Sequence, residues 1–196
     1  KDNNFTWKDF QDKNNNELVA IFGNFVNRTM VLTHKFFDGK VPAITRTTEL
    51  ETQVLDELKQ FPERIGRSIE NYRFREALTE LMNLARLGNK YLTETEPWKL
   101  IKTDPEYTQT VLNISLQICA NLAILCKPFL PFTAAKLSSL LHLEADKWHQ
   151  AGCTDLLSAD TELEKPELLF EKIEDATIET QLNKLLETKK QNELNS

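Results

Sequence analysis

Glycine and cysteine are scarce in this sequence. Five glycines in 196 residues leave little material for glycine-rich phosphate loops and tight hairpins. The three cysteines contain no CxxC pair, which argues against a disulfide framework and favours a reducing compartment, with the cytoplasm as the default. No run of about 18 apolar residues is present, so we expect no membrane-spanning helix. Otherwise the composition, 40% hydrophobic and 28% charged, is typical of a soluble globular protein.

The amino terminus lacks both a signal peptide and an initiator methionine. Its first ten residues, KDNNFTWKDF, are polar and include acids, a pattern that excludes a secretory signal. We therefore expect a fragment or a processed chain. Its length is sufficient for one domain with a sizeable core.

Catalytic motifs are also missing. None of the three histidines, His34, His142 and His149, lies in an HExxH motif or beside a nucleophile, and neither a P-loop nor a GxGxxG motif occurs. Cys119 and Cys126 are spaced two turns apart on an apolar helix, so a metal pair is conceivable. Burial in the core is the stronger interpretation, because free cysteine is among the most buried residue types. The residue patterns predict no catalytic residue and no metal site.

The negative charge is confined to one end of the chain. Residues 144–196 contain 13 acidic residues and 6 lysines or arginines, whereas residues 1–143 contain 17 and 18. This near-neutral body does not have the charge expected for non-specific nucleic-acid binding. It suits a module that reads a few exposed bases while another part of the molecule holds the backbone.

The stretch from Asn14 to Phe37 predicts one long helix. Its apolar stripe has helical spacing, and beside the stripe Asn24 and Arg28 are one turn apart and therefore adjacent on the surface. This pair is either a polar reading surface or a solvated flank, with Arg28 paired to Glu17 or Asp38. The stripe consists of Leu18, Phe22, Phe25, Thr29, Leu32 and Phe36.

Further helices follow with clear boundary signals. Thr48 begins a capping box, Pro62 should kink or break the helix that follows, and Asn71 is a candidate cap for a helix from Phe74 to about Thr93. Asp104 with Pro105 begins the next helix, which extends to Lys127. A short helix at 132–141, a loop at 144–167, a stretch at 166–173 that is extended or packs back on the bundle, and a helix at 175–193 complete the prediction.

The fold class predicted is all-α, a helix bundle of about five helices with a C-terminal extension. We expect residues 1–13 to be a linker, 14–142 the bundle, and 143–196 a loop and helix that pack back on it. Between two of the helices, Pro97 stiffens the connection that carries Trp98. An indole fixed in this way is either a stacking platform for an unpaired base or a side chain filling the seam between two helices.

Two separated segments carry a resemblance to a known family. NNELVAIFGNFVNRTM and NKYLTETEPWKL resemble the paired signatures of the anticodon-binding domain of methionyl-tRNA synthetase, a class I enzyme. FTWKDF, RFREAL and KPELLFEKIE are also similar to family segments. The resemblance covers essentially the whole chain, while the HIGH-like and KMSKS-like signatures of the catalytic half are absent.

The resemblance implies an anticodon-binding site formed by Asn24, Arg28, Pro97 and Trp98. In the family the Asn and Arg contact anticodon bases, and the Trp stacks on the first anticodon base, a cytosine. Many relatives have a further Asn at the position of Ala20, so that contact does not carry over.

The resemblance also implies partners and cofactors. The partners are the anticodon loop of tRNA(Met) and an upstream catalytic domain, with no membrane. The intact enzyme would join methionine to tRNA using ATP with Mg, whereas this chain alone needs no cofactor and should be inactive.

Three alternatives remain open at this point. The first is the anticodon domain of another class I synthetase. The second is a helical protein-interaction scaffold with no RNA role, which would bury Trp98 and lock Arg28 in an intramolecular pair. The third is metal-assisted chemistry at Cys119 and Cys126.

Overall fold

A computed structural model describes residues 5–144 and 147–194 and confirms the all-α fold. Within those ranges the extended backbone pairs only at an isolated bridge between Lys40 and Glu162. The first long helix consists of α1 (Trp7–Lys13), a π-helical segment (Asn14–Gly23) and α2 (Asn24–Phe37). The remaining helices are α3 (Glu49–Leu58), α4 (Phe61–Glu70), α5 (Phe74–Thr95), α6 (Pro97–Leu100), α7 (Pro105–Leu125), α8 (Pro131–Leu140), a short 3-10 turn (Trp148–Gln150) and α9 (Asp175–Leu194).

The first helix begins at Trp7, not at Asn14 as the sequence predicts. The Thr6 hydroxyl accepts a hydrogen bond from the backbone N–H of Asp9 at 3.1 Å, so Thr6 is an N-cap. The pattern of the apolar stripe starts later because α1 itself buries only Gln11. A π-helix of ten residues is rare, and π-helical geometry is found frequently at functional sites. It ends directly before Asn24, so Asn24 and Arg28 lie in the first turns of α2.

The boundaries of α3, α4 and α7 confirm the local signals. At Thr48 the capping box is formed: its backbone N–H donates to Glu51 Oε2 at 2.7 Å. The chain breaks before Pro62, which is the second residue of α4, where the missing N–H has no helical acceptor to lose. Asp104 caps α7 by accepting from the Tyr107 N–H at 3.0 Å.

The predicted cap at Asn71 is wrong. Its side-chain amide donates back to the carbonyl of Arg67 at 2.7 Å and closes the end of α4. Arg73 instead precedes α5. Asn side chains bond either to a following N–H or to a preceding carbonyl, and the sequence does not distinguish the two.

Helix α7 forms the centre of the core. It is long and apolar enough to cross a membrane, but 94% of its apolar window is buried inside the protein, as in the central helix of a bundle. Cys119 and Cys126 are both buried on it, which confirms that they are core residues. Burial raises the pKa of Cys119, and raises that of Cys126 to about 12, so both thiols stay protonated at neutral pH.

The C-terminal segment packs back on the first helix. Asn15 donates to the carbonyl of Ile173 at 2.9 Å and accepts from its N–H at 2.9 Å, and the ring of Phe170 packs edge-on against Phe22 at 5.5 Å. In α9 the apolar stripe is buried only in part. Ile178 is buried, whereas the three leucines predicted on the same face are exposed: Leu182, Leu185 and Leu186.

Candidate nucleic-acid interface

Trp98 is held by a tight connection between α5 and α6. Glu96 ends α5 in a left-handed conformation, with φ 44°, and Pro97 follows as the first residue of α6. Pro97 is buried while Trp98 remains partly exposed. The Lys99 ammonium donates to the Glu96 carboxylate at 2.7 Å. A buried proline next to the indole limits the directions in which the ring can point.

Arg28 lies over the ring of Trp98. The guanidinium carbon is 4.9 Å from the ring centroid, within the range of a cation–π interaction. This contact joins α2 to α6, which are distant in sequence. The expected pairing of Arg28 with Glu17 is wrong, since the Glu17 carboxylate pairs with Arg86. Among the residues that the structure describes, Arg28 forms no ion pair.

Asn24 lies on the exposed side of the same helix and reaches α5. Its amide nitrogen is 3.5 Å from the amide oxygen of Asn89, at the upper limit for a hydrogen bond. Asn89 in turn donates to the carbonyl of Ile21 at 2.9 Å, which fixes the direction of its own amide. No described residue donates to the amide oxygen of Asn24, so this acceptor remains available to a ligand.

Two side chains of α5 brace the π-helical segment. Arg86 donates to Glu17 at 2.5 Å and to the side chain of Asn83 at 3.2 Å, and Asn89 bonds Ile21 further along. These contacts set the rotation of the first helix relative to α5, and therefore where Asn24 and Arg28 point. Sequence reasoning missed Arg86 and Asn89. Their only signal is their position beside Gly88, on the face of α5 where a neighbouring helix comes close.

Ala20 is exposed in the π-helical segment, one turn before Asn24. A methyl group neither donates nor accepts a hydrogen bond, so this position adds nothing polar to the surface. The polar groups of the corner are therefore supplied by Asn24, Arg28 and Asn89, and the flat apolar surface by Trp98.

A buried carboxylate stabilises the helices beneath this surface. Glu51 on α3 accepts hydrogen bonds from the hydroxyls of Tyr91 at 2.9 Å and Tyr107 at 2.7 Å. Burial alone raises the pKa of Glu51, but hydrogen bonds from Thr48, Tyr107 and Tyr91 outweigh it, and the pKa lies below its usual value. Burial and the neighbouring Glu51 raise the pKa of Tyr91. Glu51 is thus ionised at neutral pH, and it connects α3, α5 and α7.

Chemically, the corner is suited to binding and offers no means of catalysis that we can identify. In residues 5–144 and 147–194 no three His, Cys, Asp or Glu side chains are grouped so as to hold a metal ion. A protein scaffold would bury Trp98 and lock Arg28 in an ion pair, and neither is found in the described residues. A partly exposed indole beside a guanidinium and two amides can stack on a planar group and bond to its edges.

Comparisons with known proteins identify two family models in the chain. The model described as the anticodon binding domain of methionyl tRNA ligase matches residues 41–190, and the model of class I (M) tRNA synthetases matches residues 1–30. Trp98 falls within the first match, and Asn24 and Arg28 within the second. The corner is thus built from both matched regions.

Curated relatives are close in sequence and much longer. The chain is 59% identical over 192 residues to the methionine–tRNA ligase of Cytophaga hutchinsonii, and 58% identical over 193 residues to that of Bacteroides fragilis. Each alignment covers 98% of this chain, which spans about 28% of the length of these relatives.

Solved structures show the same fold. The apo form of Mycobacterium tuberculosis methionyl-tRNA synthetase superposes with a TM-score of 0.77 at 22% identity, covering 87% of this chain and 35% of that one. A methionyl-adenylate-bound structure of the same enzyme gives 0.77 at 23% identity, covering 85% and 34%. Because the anticodon-domain match extends over most of the 196 residues, the chain belongs to the family of anticodon-binding domains of methionyl-tRNA ligases.

Proposed function

We propose that this chain reads the CAU anticodon loop of tRNA(Met) at the corner formed by Asn24, Arg28, Pro97 and Trp98. The observation that carries the proposal is the placement of Arg28 over the Trp98 ring, with a centroid distance of 4.9 Å. Loops of RNA expose unstacked bases, whose faces stack on aromatic rings and whose edges accept and donate hydrogen bonds. The corner offers both kinds of contact within one small surface.

Each side chain has a distinct role in this proposal. With Arg28 on one face of the indole, the first anticodon base, a cytosine, stacks on the other face, and a stack of this kind contributes about 1–3 kcal/mol. Asn24 recognises a base edge, because an amide has both donor and acceptor groups, while the Arg28 guanidinium supplies donors only. Pro97 restricts the angle of the ring. Ala20 leaves one fewer base contact than relatives with Asn there would make.

The activity of the whole protein is part of the proposal. The curated relatives are methionine–tRNA ligases more than three times as long as the chain. We infer that the longer protein joins methionine to its tRNA in the cytoplasm, with ATP and Mg bound by a catalytic domain upstream. Within it, residues 1–13 would connect to that domain, 14–142 form the reading bundle, and 143–196 fold back. None of the side chains at the corner takes part in the chemical step.

A hairpin-binding experiment tests the proposal. The dissociation constants of a CAU-loop hairpin and of one with an altered loop are measured at one stated salt concentration for the wild-type protein, Trp98→Ala and Trp148→Ala. Trp148 is a matched control because it is also partly exposed, at 37%, but packs beside Gly66. We expect Trp98→Ala to lose the preference for CAU, with a drop in affinity of roughly 10- to 100-fold, and Trp148→Ala to behave as wild type. Equal binding of CAU by wild type and Trp98→Ala would refute the proposal.

A further inference from the structure

The four arginines that the sequence brings close together surround one cavity on the surface. The cavity lies between α4 and α5, has a volume of about 460 Å³, and is lined by Arg64, Arg67, Arg73 and Arg75. Its negative lining groups are Glu76 and Glu80. In a chain of net charge −6, a cavity with this excess of positive charge is a local exception.

The ion pairs around the cavity leave donors for a ligand. Arg73 and Glu76 are 3.6 Å apart, and Arg64 and Glu80 are 3.8 Å apart, both near the limit for an ion pair. Arg67 is closer to its partner Glu63, at 2.6 Å. Each guanidinium has five N–H groups, and one carboxylate contact occupies only part of them. These contacts orient the guanidinium groups, which bind phosphate oxygens in pairs.

Two exposed aromatic rings adjoin the cavity. Tyr72, which is 82% exposed, lies between Asn71 and Arg73 of the lining, and Phe74, 51% exposed, follows. Their rings meet edge-on at 6.3 Å. Tyr72 has φ 57°, a conformation that residues other than glycine adopt infrequently. Exposed rings beside basic groups are typical of surfaces that bind RNA, whereas inorganic phosphate has no use for them.

The cavity and the anticodon corner lie on the same helix. Arg75 is in the first turn of α5 and Asn89 is fourteen residues later, which corresponds to about 21 Å at 1.5 Å per residue. Phosphates along one strand of a duplex are about 3.4 Å apart, so this separation equals roughly six nucleotides. One hairpin is long enough to place its loop at Trp98 and its stem at the cavity.

We propose that this arginine cavity binds backbone phosphates of the RNA stem whose loop is read at the Trp98 corner. The inference rests on the proposed function for the identity of the RNA. It assigns the two tasks to different places: bases are read at one end of α5, and the backbone is held at the other. Phosphate contacts position the RNA without reading its sequence.

The test compares Arg67→Gln/Arg73→Gln with Lys40→Gln/Lys59→Gln. Both double variants remove two positive charges from exposed side chains, but the lysines lie outside the cavity lining. Dissociation constants of CAU and altered-loop hairpins are measured over a range of salt concentrations. We expect the arginine variant to weaken both hairpins about tenfold and equally, and to reduce the slope of log Kd against log salt by about 1–2, since each duplex phosphate contact contributes about 0.9. The lysine variant keeps the wild-type affinity and slope.

Further arms separate this proposal from its rivals. A CAU heptamer without a stem should be insensitive to the arginine substitutions, and Arg67→Lys/Arg73→Lys should retain most of the slope because it keeps the charge. Should the double variant not fold, Arg67→Gln alone is expected to show about half the change in slope. The proposal fails if the slope equals that of the lysine control, if the ratio of the two hairpin affinities changes, or if heptamer and hairpins weaken alike. It also fails if inorganic phosphate or an acidic peptide binds wild type but not the arginine variant while RNA binding is unaltered.

The outcomes for the two proposals differ in kind. Trp98→Ala should change the ratio between CAU and altered loops and keep the salt slope, whereas the arginine variant should do the reverse. A wild-type protein that binds both hairpins equally contradicts anticodon reading, yet its salt slope still tests the cavity.

Discussion

Gly88 of α5 lies directly against the ring of Phe25 of α2. A Cβ added at Gly88 would be 2.3 Å from the nearest ring carbon, a distance that no real contact allows. This close approach brings the next residue of each helix pair, Asn89 and Asn24, to within 3.5 Å. The polar corner thus depends on a contact in the core directly beneath it.

Gly88→Ala should destabilise the protein and disturb the corner. Overpacking costs about 1–3 kcal/mol, which exceeds the gain of about 1 kcal/mol from alanine's helix propensity. Chemical denaturation measures the difference. Gly66→Ala is the matched control, because its Cβ would meet Trp148 at an ordinary 3.5 Å, and we expect it to stabilise by up to about 1 kcal/mol. Similar effects of the two substitutions would contradict this account of the helix contact.

Arg28 and Trp98 should be coupled in the absence of RNA. In a double-mutant cycle with Arg28→Ala and Trp98→Ala, measured by the free energy of unfolding, the interaction should be about 0.5–1 kcal/mol, as for exposed cation–π pairs. The cycle of Arg28→Ala with Trp148→Ala should be additive, since distant sites do not couple. Additivity in both cycles would mean that the 4.9 Å contact contributes nothing to stability.

Asn89 is expected to act through Asn24. Asn89→Ala removes the hydrogen bond to the Ile21 carbonyl, at a cost of about 1 kcal/mol in stability, and frees the Asn24 side chain to rotate. The affinity for the CAU hairpin should fall severalfold, while a hairpin with an altered loop is affected less. Thr93→Ala, an exposed substitution one turn later on α5, serves as the control. Unchanged discrimination by Asn89→Ala would show that Asn24 needs no positioning.

The Glu51 carboxylate gives the fold a defined pH dependence. Because its pKa is lowered in the folded state, its contribution is complete above the unfolded value of about 4.3 and is lost as the pH falls through the folded value. Glu51→Gln should cost about 2–3 kcal/mol at pH 7, and the difference from wild type should shrink below about pH 4.3. Urea unfolding from pH 7 to pH 3 measures it. The exposed Glu187→Gln on α9 should show no such trend, and a constant deficit in Glu51→Gln would contradict the assignment.

Local signals were sufficient for most helix boundaries. The Thr48 capping box, the break at Pro62 and the Asp104 cap all depend on residues within four positions of one another, and each is found as predicted. Where two local bonds compete, as at Asn71, the same reasoning selects the wrong one. The start at Trp7 was missed because α1 buries almost no apolar surface and so leaves no periodic pattern.

By itself, the sequence determined the helical class, the break points and the side chains of the candidate site, because turns and caps are formed between near neighbours and because the family signatures are contiguous segments. Only the tertiary structure decided that Arg28 covers Trp98, that Arg86 and not Arg28 pairs with Glu17, and that four arginines surround one cavity. These relations depend on the rotation and spacing of whole helices, which are set by contacts such as Gly88 against Phe25. Such contacts join residues far apart in the chain, where hydrophobic periodicity indicates which face is buried but not which neighbour it meets.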